Sequence, residues 1–177
     1  MNPLTRSRRL ILAGTALAAA FALFHGQLAA AVVTRGDDAL RTGDLVTAIR
    51  LYDRAARLDP RSAIAADRLA FRLALCHDRA DARAAVAIAS RGLAANAVEP
   101  ALFADRAFAE LQLQAWRDAE RDFDRAGELA HDARYEHFAG RMALRTGDRN
   151  AAKRYARRAL ADDPAFAPAR ALLRGLE

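Results

Sequence analysis

The chain of 177 residues contains one cysteine, four histidines and one lysine, and each scarcity removes a kind of chemistry. A lone cysteine, Cys76, excludes an internal disulfide and reads as a small buried apolar residue. Cys76 and His77 are adjacent, so on a helix they point about 100° apart and cannot serve one another as nucleophile and base. The histidines (25, 77, 131 and 137) show no i, i+4 pair and no His-Glu-x-x-His pattern, which leaves a metal site unsupported. No glycine-rich phosphate loop is present, and no cofactor is implied. The reading is therefore a protein that is not an enzyme.

Acidic residues are missing before Asp37, and this makes the net charge of +6 misleading. Setting aside Arg6, Arg8 and Arg9 of the N-terminal segment leaves 25 basic against 22 acidic groups. Such a balance does not describe a nucleic-acid-binding protein. Acids and arginines alternate from Arg117-Asp118 to Asp124-Arg125, the pattern of a solvated helix face with weak i, i+4 pairs.

The three arginines precede fifteen uncharged residues, Leu10 to Phe24, and then alanines at 29 and 31. A basic start, an apolar middle and a small-residue site describe a bacterial-type secretory signal. Leu10 to Val33 is also long enough to cross a bilayer uncleaved. Cleavage after Ala31 would remove the opening turn of the helical pattern that begins near Ala29, which favours the anchor. Residues 1–31 are thus a signal peptide or membrane anchor. Either way the arginines stay in the cytoplasm and the rest lies outside it. The expected location is the bacterial inner membrane, single-pass with the repeats in the periplasm, or the periplasm itself after cleavage. Ser7-Arg8-Arg9-Leu10-Ile11-Leu12 is similar to a twin-arginine export motif without its usual phenylalanine and lysine.

What the remainder has is repetition. Ala39-Leu40-Arg41-Thr42-Gly43-Asp44 recurs as Ala143-Leu144-Arg145-Thr146-Gly147-Asp148, 104 residues later and close to three periods of 34. Such a period, with a Gly-Asp turn inside it, marks a helix-turn-helix array. Gly43 and Gly147 suit the left-handed end of one helix, and the following Asp caps the next. Leu45 to Leu58 forms the second helix of the first unit, with Ala48, Ile49, Tyr52 and Ala55 on one face and Asp59-Pro60 closing it. Pro164 closes the fourth unit in the same way.

These positions resemble the tetratricopeptide repeat. Small residues fall where that family packs helix on helix: Gly36, Ala107 and Gly140 in first helices, with Leu73 as a departure. In second helices they are Ala48, Ala85, Ala119 and Ala152, then Ala55, Gly92, Ala126 and Ala159. Aromatic fillers Tyr52 and Phe123 and the turn-side Trp116 fit the same template. The early alanines are spaced 37, 34 and 33, and the excess falls in the second unit, whose turn Asp78-Arg79-Ala80-Asp81 lacks glycine. The expected fold is all-α: a tetratricopeptide-type solenoid over 32–177, in units of about 29–62, 63–97, 98–131 and 132–165. A capping helix over 166–176 follows, with Arg170 and Arg174 outside and Ala171, Leu172 and Leu173 inside.

The resemblance implies a non-catalytic scaffold or adaptor for a protein partner in the envelope, such as an assembly factor for a periplasmic or inner-membrane complex. A self-associating repeat module is the alternative, and an enzyme a remote one. It also implies that first helices line a groove. In that register Arg134, His137, Arg141 and Arg145 form a stripe at intervals of 3, 4 and 4, beside an apolar floor of Ala104 and Phe108. The matching partner segment is acidic or ends in a free carboxylate. Val33 and Asp37 stand where the family's carboxylate clamp has lysine and asparagine, so that clamp is not repeated here.

Overall fold

The computed structural model describes residues 3–76 and 78–177, with side chains from Thr15 onward; His77 and the side chains of the N-terminal arginines lie outside it. Its helices are α1 (Pro3–Arg41), α2 (Leu45–Leu58), α3 (Ala63–Leu75), α4 (Arg79–Ala95), α5 (Pro100–Leu113), α6 (Trp116–Ala130), α7 (Ala133–Arg145), α8 (Arg149–Asp162) and α9 (Ala167–Arg174). No strand occurs among the described residues. They form two compact units, residues 1–65 and 66–177.

The first unit is a hairpin of α1 and α2. The repeated hexapeptide explains its turn letter by letter. Gly43 takes φ +83°, the Asp44 N–H reaches back to the Ala39 carbonyl at 2.9 Å, and the Gly43 N–H to Leu40 at 3.0 Å. That paired closure uses carbonyls a helix end would otherwise leave unmet. Thr42 donates its hydroxyl to the Ala39 carbonyl, and the Asp44 carboxylate accepts the Thr47 N–H at 3.0 Å, so one turn ends α1 and starts α2. Tyr52 is wholly buried over Gly36 and donates to Asp37 at 2.7 Å.

α1 changes character along its length. Residues 15–24 are exposed, Phe21 at 65%, whereas Ala29, Val32, Val33 and Gly36 are buried. Thr15–Arg41 is the one segment among the described residues long and apolar enough to cross a membrane, and it runs unbroken into the hairpin.

In the second unit each helix lies against the next in chain order from α4 to α9. The turn of residues 146–148 repeats that of 42–44, with Gly147 at φ +86° and the Asp148 carboxylate accepting the Ala151 N–H at 2.8 Å. Between α5 and α6 the same closure is made without glycine. Gln114 takes φ +62°, and the Ala115 N–H reaches the Glu110 carbonyl at 3.0 Å.

Several sequence expectations are corrected by the structure. The α3–α4 turn is not Asp78–Asp81: Asp78 caps α4, and Arg79, Ala80 and Asp81 are its first turn. Asp78 stands 34 residues after Asp44, so α4 starts in register and its fourth residue is Ala82, buried as Ala48, Ala119 and Ala152 are. Ala85 is buried one turn further on, and the extra residues of this unit are the last turn of α4, which runs to Ala95. The small position of α3 is then not Leu73, which is half-buried, but Ala70, which is fully buried and 34 residues after Gly36. Cys76 also departs from expectation. It lies just past the end of α3, exposed, with its thiol donating to the Arg72 carbonyl.

The core is built from small residues around a few large ones. Ala107, Ala119, Phe123, Ala139 and Met142 are buried, with Phe108, Trp116, Tyr135, Phe138 and Tyr155 packed around them. Gly92 lets Leu102 and Ala66 approach, and Gly127 makes room for Glu136. α9 closes the end: Ala169 is buried against Ala133 and Ala159, and Leu176 against Ala143 and Ala151. Ala171, expected inside, is exposed, because Leu172 and Leu176 supply the inward face instead.

Candidate functional site

α7 starts at Asp132, whose carboxylate accepts the Arg134 N–H at 2.9 Å, and buries Ala139, Gly140, Met142 and Ala143. The spacing of Arg134, His137, Arg141 and Arg145 leaves them on the other side. They share a face of one helix, but their surroundings differ.

Arg134 bends back on Asp132, its Nε 3.0 Å from both carboxylate oxygens. These hydrogen bonds hold the Asp132 carboxyl below the usual range, and the pair cancels locally. Arg145 lies over the Trp116 ring, 5.4 Å from its centre. His137 is half-buried against Phe138 and Phe166, at 6.1 and 5.8 Å between ring centres. Its Nδ1 is buried without a hydrogen-bond partner among the described residues. Burial, then the charge of Arg141, pushes its pKa below the ordinary value. Arg141 is exposed, and no ion pair or hydrogen bond of its side chain occurs among the described residues. Of the basic stripe, Arg141 alone presents an unengaged charge, beside a neutral imidazole.

The apolar floor expected from α5 is closed. Ala104 is only 3% exposed. Phe108 stands edge-on to Phe123 and Phe138 at 5.0 and 5.3 Å, and those two rings stack on one another. Three aromatics at these distances satisfy each other and leave little face for a partner.

Several acids expected on solvated faces are buried. Arg106 of α5 grips Asp122 of α6 through two bonds of 2.5 and 2.8 Å and reaches Ser90 of α4 at 3.1 Å, tying three helices. Asp122 therefore belongs to the interior, which corrects the reading of Arg117–Arg125 as wholly solvated. Arg158 of α8 joins Asp124 and buried Glu136 at 2.7 and 2.8 Å, and Tyr155 donates to Asp124. Asp105, 4% exposed, shares a hydrogen bond with Asp67 of α3; burial first, then Asp67, pushes its pKa up to about 9. Glu110 is pushed up to about 8 by burial and then by Asp122. One signal for Asp105 was legible: an acid set among Ala104, Ala107 and Ala109, at a position where its helix has no solvent side.

Comparison with solved structures places this architecture. The fold matches a MamA protein (17% identity, 85% of this chain and 81% of that one, TM-score 0.73). It matches PilF of Pseudomonas aeruginosa (17%, 86% and 68%, TM-score 0.70). It also matches YrrB, a tetratricopeptide repeat protein described as having an unusual peptide-binding site (19%, 82% and 74%, TM-score 0.67). At these identities the likeness establishes the fold, a tetratricopeptide-type array of helical hairpins. No protein-family model and no curated protein matches the sequence.

Proposed function

We propose that this chain is a non-catalytic scaffold of the bacterial envelope, held at the inner membrane by α1, whose α7 face engages an acidic or carboxylate-ended segment of a protein partner. The observation that carries this reading is the continuity of α1. Its exposed apolar half and its buried half belong to one helix, so the first hairpin follows the apolar segment with no linker between them. A helix that leaves ten consecutive residues (15–24) uncovered fits lipid better than water.

Partner engagement is supported by the array itself, which offers extended surface and uses its charged interior groups on one another. Arg141 is the proposed electrostatic anchor, because a carboxylate reaching it displaces no existing ion pair. His137 beside it is half-buried with its Nδ1 covered, so the contact rests on Arg141. The partner's contact is thus polar and centred on α7, since Ala104 and Phe108 are taken up by packing.

The test is a photo-crosslinking amino acid at position 134 in the full-length protein in native membranes. A discrete adduct is expected, reduced several-fold by Arg141→Glu at unchanged melting temperature. Equal adducts with and without that reversal would move the site away from α7. Adducts only with the chain's own copies would make the protein a self-associating module.

A further inference from the structure

The turn between α2 and α3 faces the apolar half of α1. α2 runs antiparallel to α1, so its end returns toward the N-terminal part of that helix. At Gly26, a Cβ would stand 3.6 Å from the Asp59 carboxylate, two residues past exposed Phe24. From Leu10 to Gly26 the helix rises about 25 Å, close to the ~30 Å of a bilayer's hydrocarbon. The Asp59–Ser62 turn therefore comes level with one edge of that hydrocarbon. It is also stiff, since the Asp59 carboxylate accepts the Arg61 N–H at 3.1 Å and the Asp59 carbonyl the Ser62 N–H at 3.0 Å.

The turn's outward chemistry is unlike that of an ordinary loop. Ile64, in the first turn of α3, is 63% exposed, and Pro60 and Arg61 beside it are exposed too. Arg57 is exposed, and its ion pair is with Asp53, at 2.6 Å, on its own helix. An apolar tip flanked by arginines is the composition that seats a segment at the headgroup boundary, where the apolar group enters the acyl region and guanidinium meets phosphate. At the opposite end of the hairpin, Val46 is equally exposed (61%) but lies by the Gly43 turn, far along α1 from Phe24.

We infer that the α2–α3 turn is a second membrane contact, with Ile64 and Pro60 in the headgroup boundary and Arg61 and Arg57 on phospholipid phosphates. It stops α1 from sinking further and fixes the tilt of the first hairpin on the bilayer. The inference rests on the proposed membrane seat of α1, and the experiment separates the two. Full-length protein carrying Cys76→Ser is spin-labelled at Phe21→Cys, Ile64→Cys or Val46→Cys and reconstituted in phosphatidylcholine vesicles with or without phosphatidylglycerol. Oxygen and water-soluble nickel collisions then report depth.

Position 21 is expected in the hydrocarbon, position 64 within about 5–10 Å of the headgroup boundary, and position 46 in water. Adding Arg61→Glu should raise nickel access at position 64 in anionic vesicles. Position 64 as nickel-accessible as 46, with 21 deep, overturns the turn's contact and leaves α1 in the membrane. Position 21 in water overturns both. No response to Arg61→Glu in anionic vesicles overturns the phosphate contact.

Discussion

Asp105 shows how one residue carries opposing demands. Its carboxyl is buried between α3 and α5, where it stays protonated and so can donate to Asp67. The folded state therefore holds a proton that the unfolded chain releases near pH 4. A raised carboxyl pKa means stability is full at low pH and falls as pH climbs toward about 9. Glu110 adds to the same slope up to about 8. Thermal melts from pH 5 to 9 should show a falling midpoint from these groups. Asp105→Asn, which keeps a donor toward Asp67 and cannot ionise, should flatten the fall and melt higher than the parent at pH 8.5. An unchanged slope would place the titration elsewhere. Gly36 makes the complementary point about size. An added methyl would sit 2.5 Å from the buried Tyr52 ring, so Gly36→Ala should cost about 1–3 kcal/mol by overpacking, read by urea unfolding. An alanine tolerated there would mean that Tyr52 can move aside.

Elements are set by their ends. Asp44, Asp78, Asp132 and Asp148 cap α2, α4, α7 and α8, whereas α6 begins at Ala115 with no side-chain cap and after a strained Gln114. A left-handed residue with a side chain costs about 1–2 kcal/mol, and a missing cap about 1 kcal/mol. Gln114→Gly with Ala115→Asp should therefore stabilise the protein by about 2 kcal/mol and bring this turn to the sequence of the other two. A double variant no more stable than the parent would show that Gln114 already recovers that cost through contacts of its own. The added turn of α4 is an end effect as well: Asp78 starts the helix in register with Asp44, and the extra turn lies at its far end, where the Asn96 N–H closes on the Gly92 carbonyl.

For the whole molecule, α9 matters because a stack of amphipathic hairpins always ends in an apolar face. Ala169, Leu172 and Leu176 cover Gly140, Ala143, Ala151 and Ala159. Ending the chain at residue 165 should expose this face and produce concentration-dependent association in sedimentation; a monomer with an unchanged melt would show that α8 needs no cover. The partner binding proposed for α7 should weaken with salt, as an exposed arginine requires. Its pH response follows from His137, whose lowered pKa keeps the ring neutral through pH 7. Affinity for a carboxylate should therefore stay flat from pH 8 to 6.5 and rise only below, once the ring gains charge. Titration calorimetry with the crosslinked segment as a peptide checks this, and a rise centred above pH 6.5 would exclude His137.

The sequence by itself determined the helices and their order, because those follow from local rules. Glycine at a left-handed turn, aspartate at a helix start, proline after a helix end and alanine at each close approach all act within a few residues. The hexapeptides at 39–44 and 143–148 were legible for that reason, and so was the apolar start of α1. What the tertiary structure decided is which charges face water. Asp122 looks like its solvated neighbours in sequence, and only the packing of α5 against α6 buries it. Of four basic residues on one face of α7, packing against Trp116, Phe166 and Asp132 leaves Arg141 unengaged. Periodicity records which side of a helix a residue occupies, but burial depends on what the rest of the chain brings to that side.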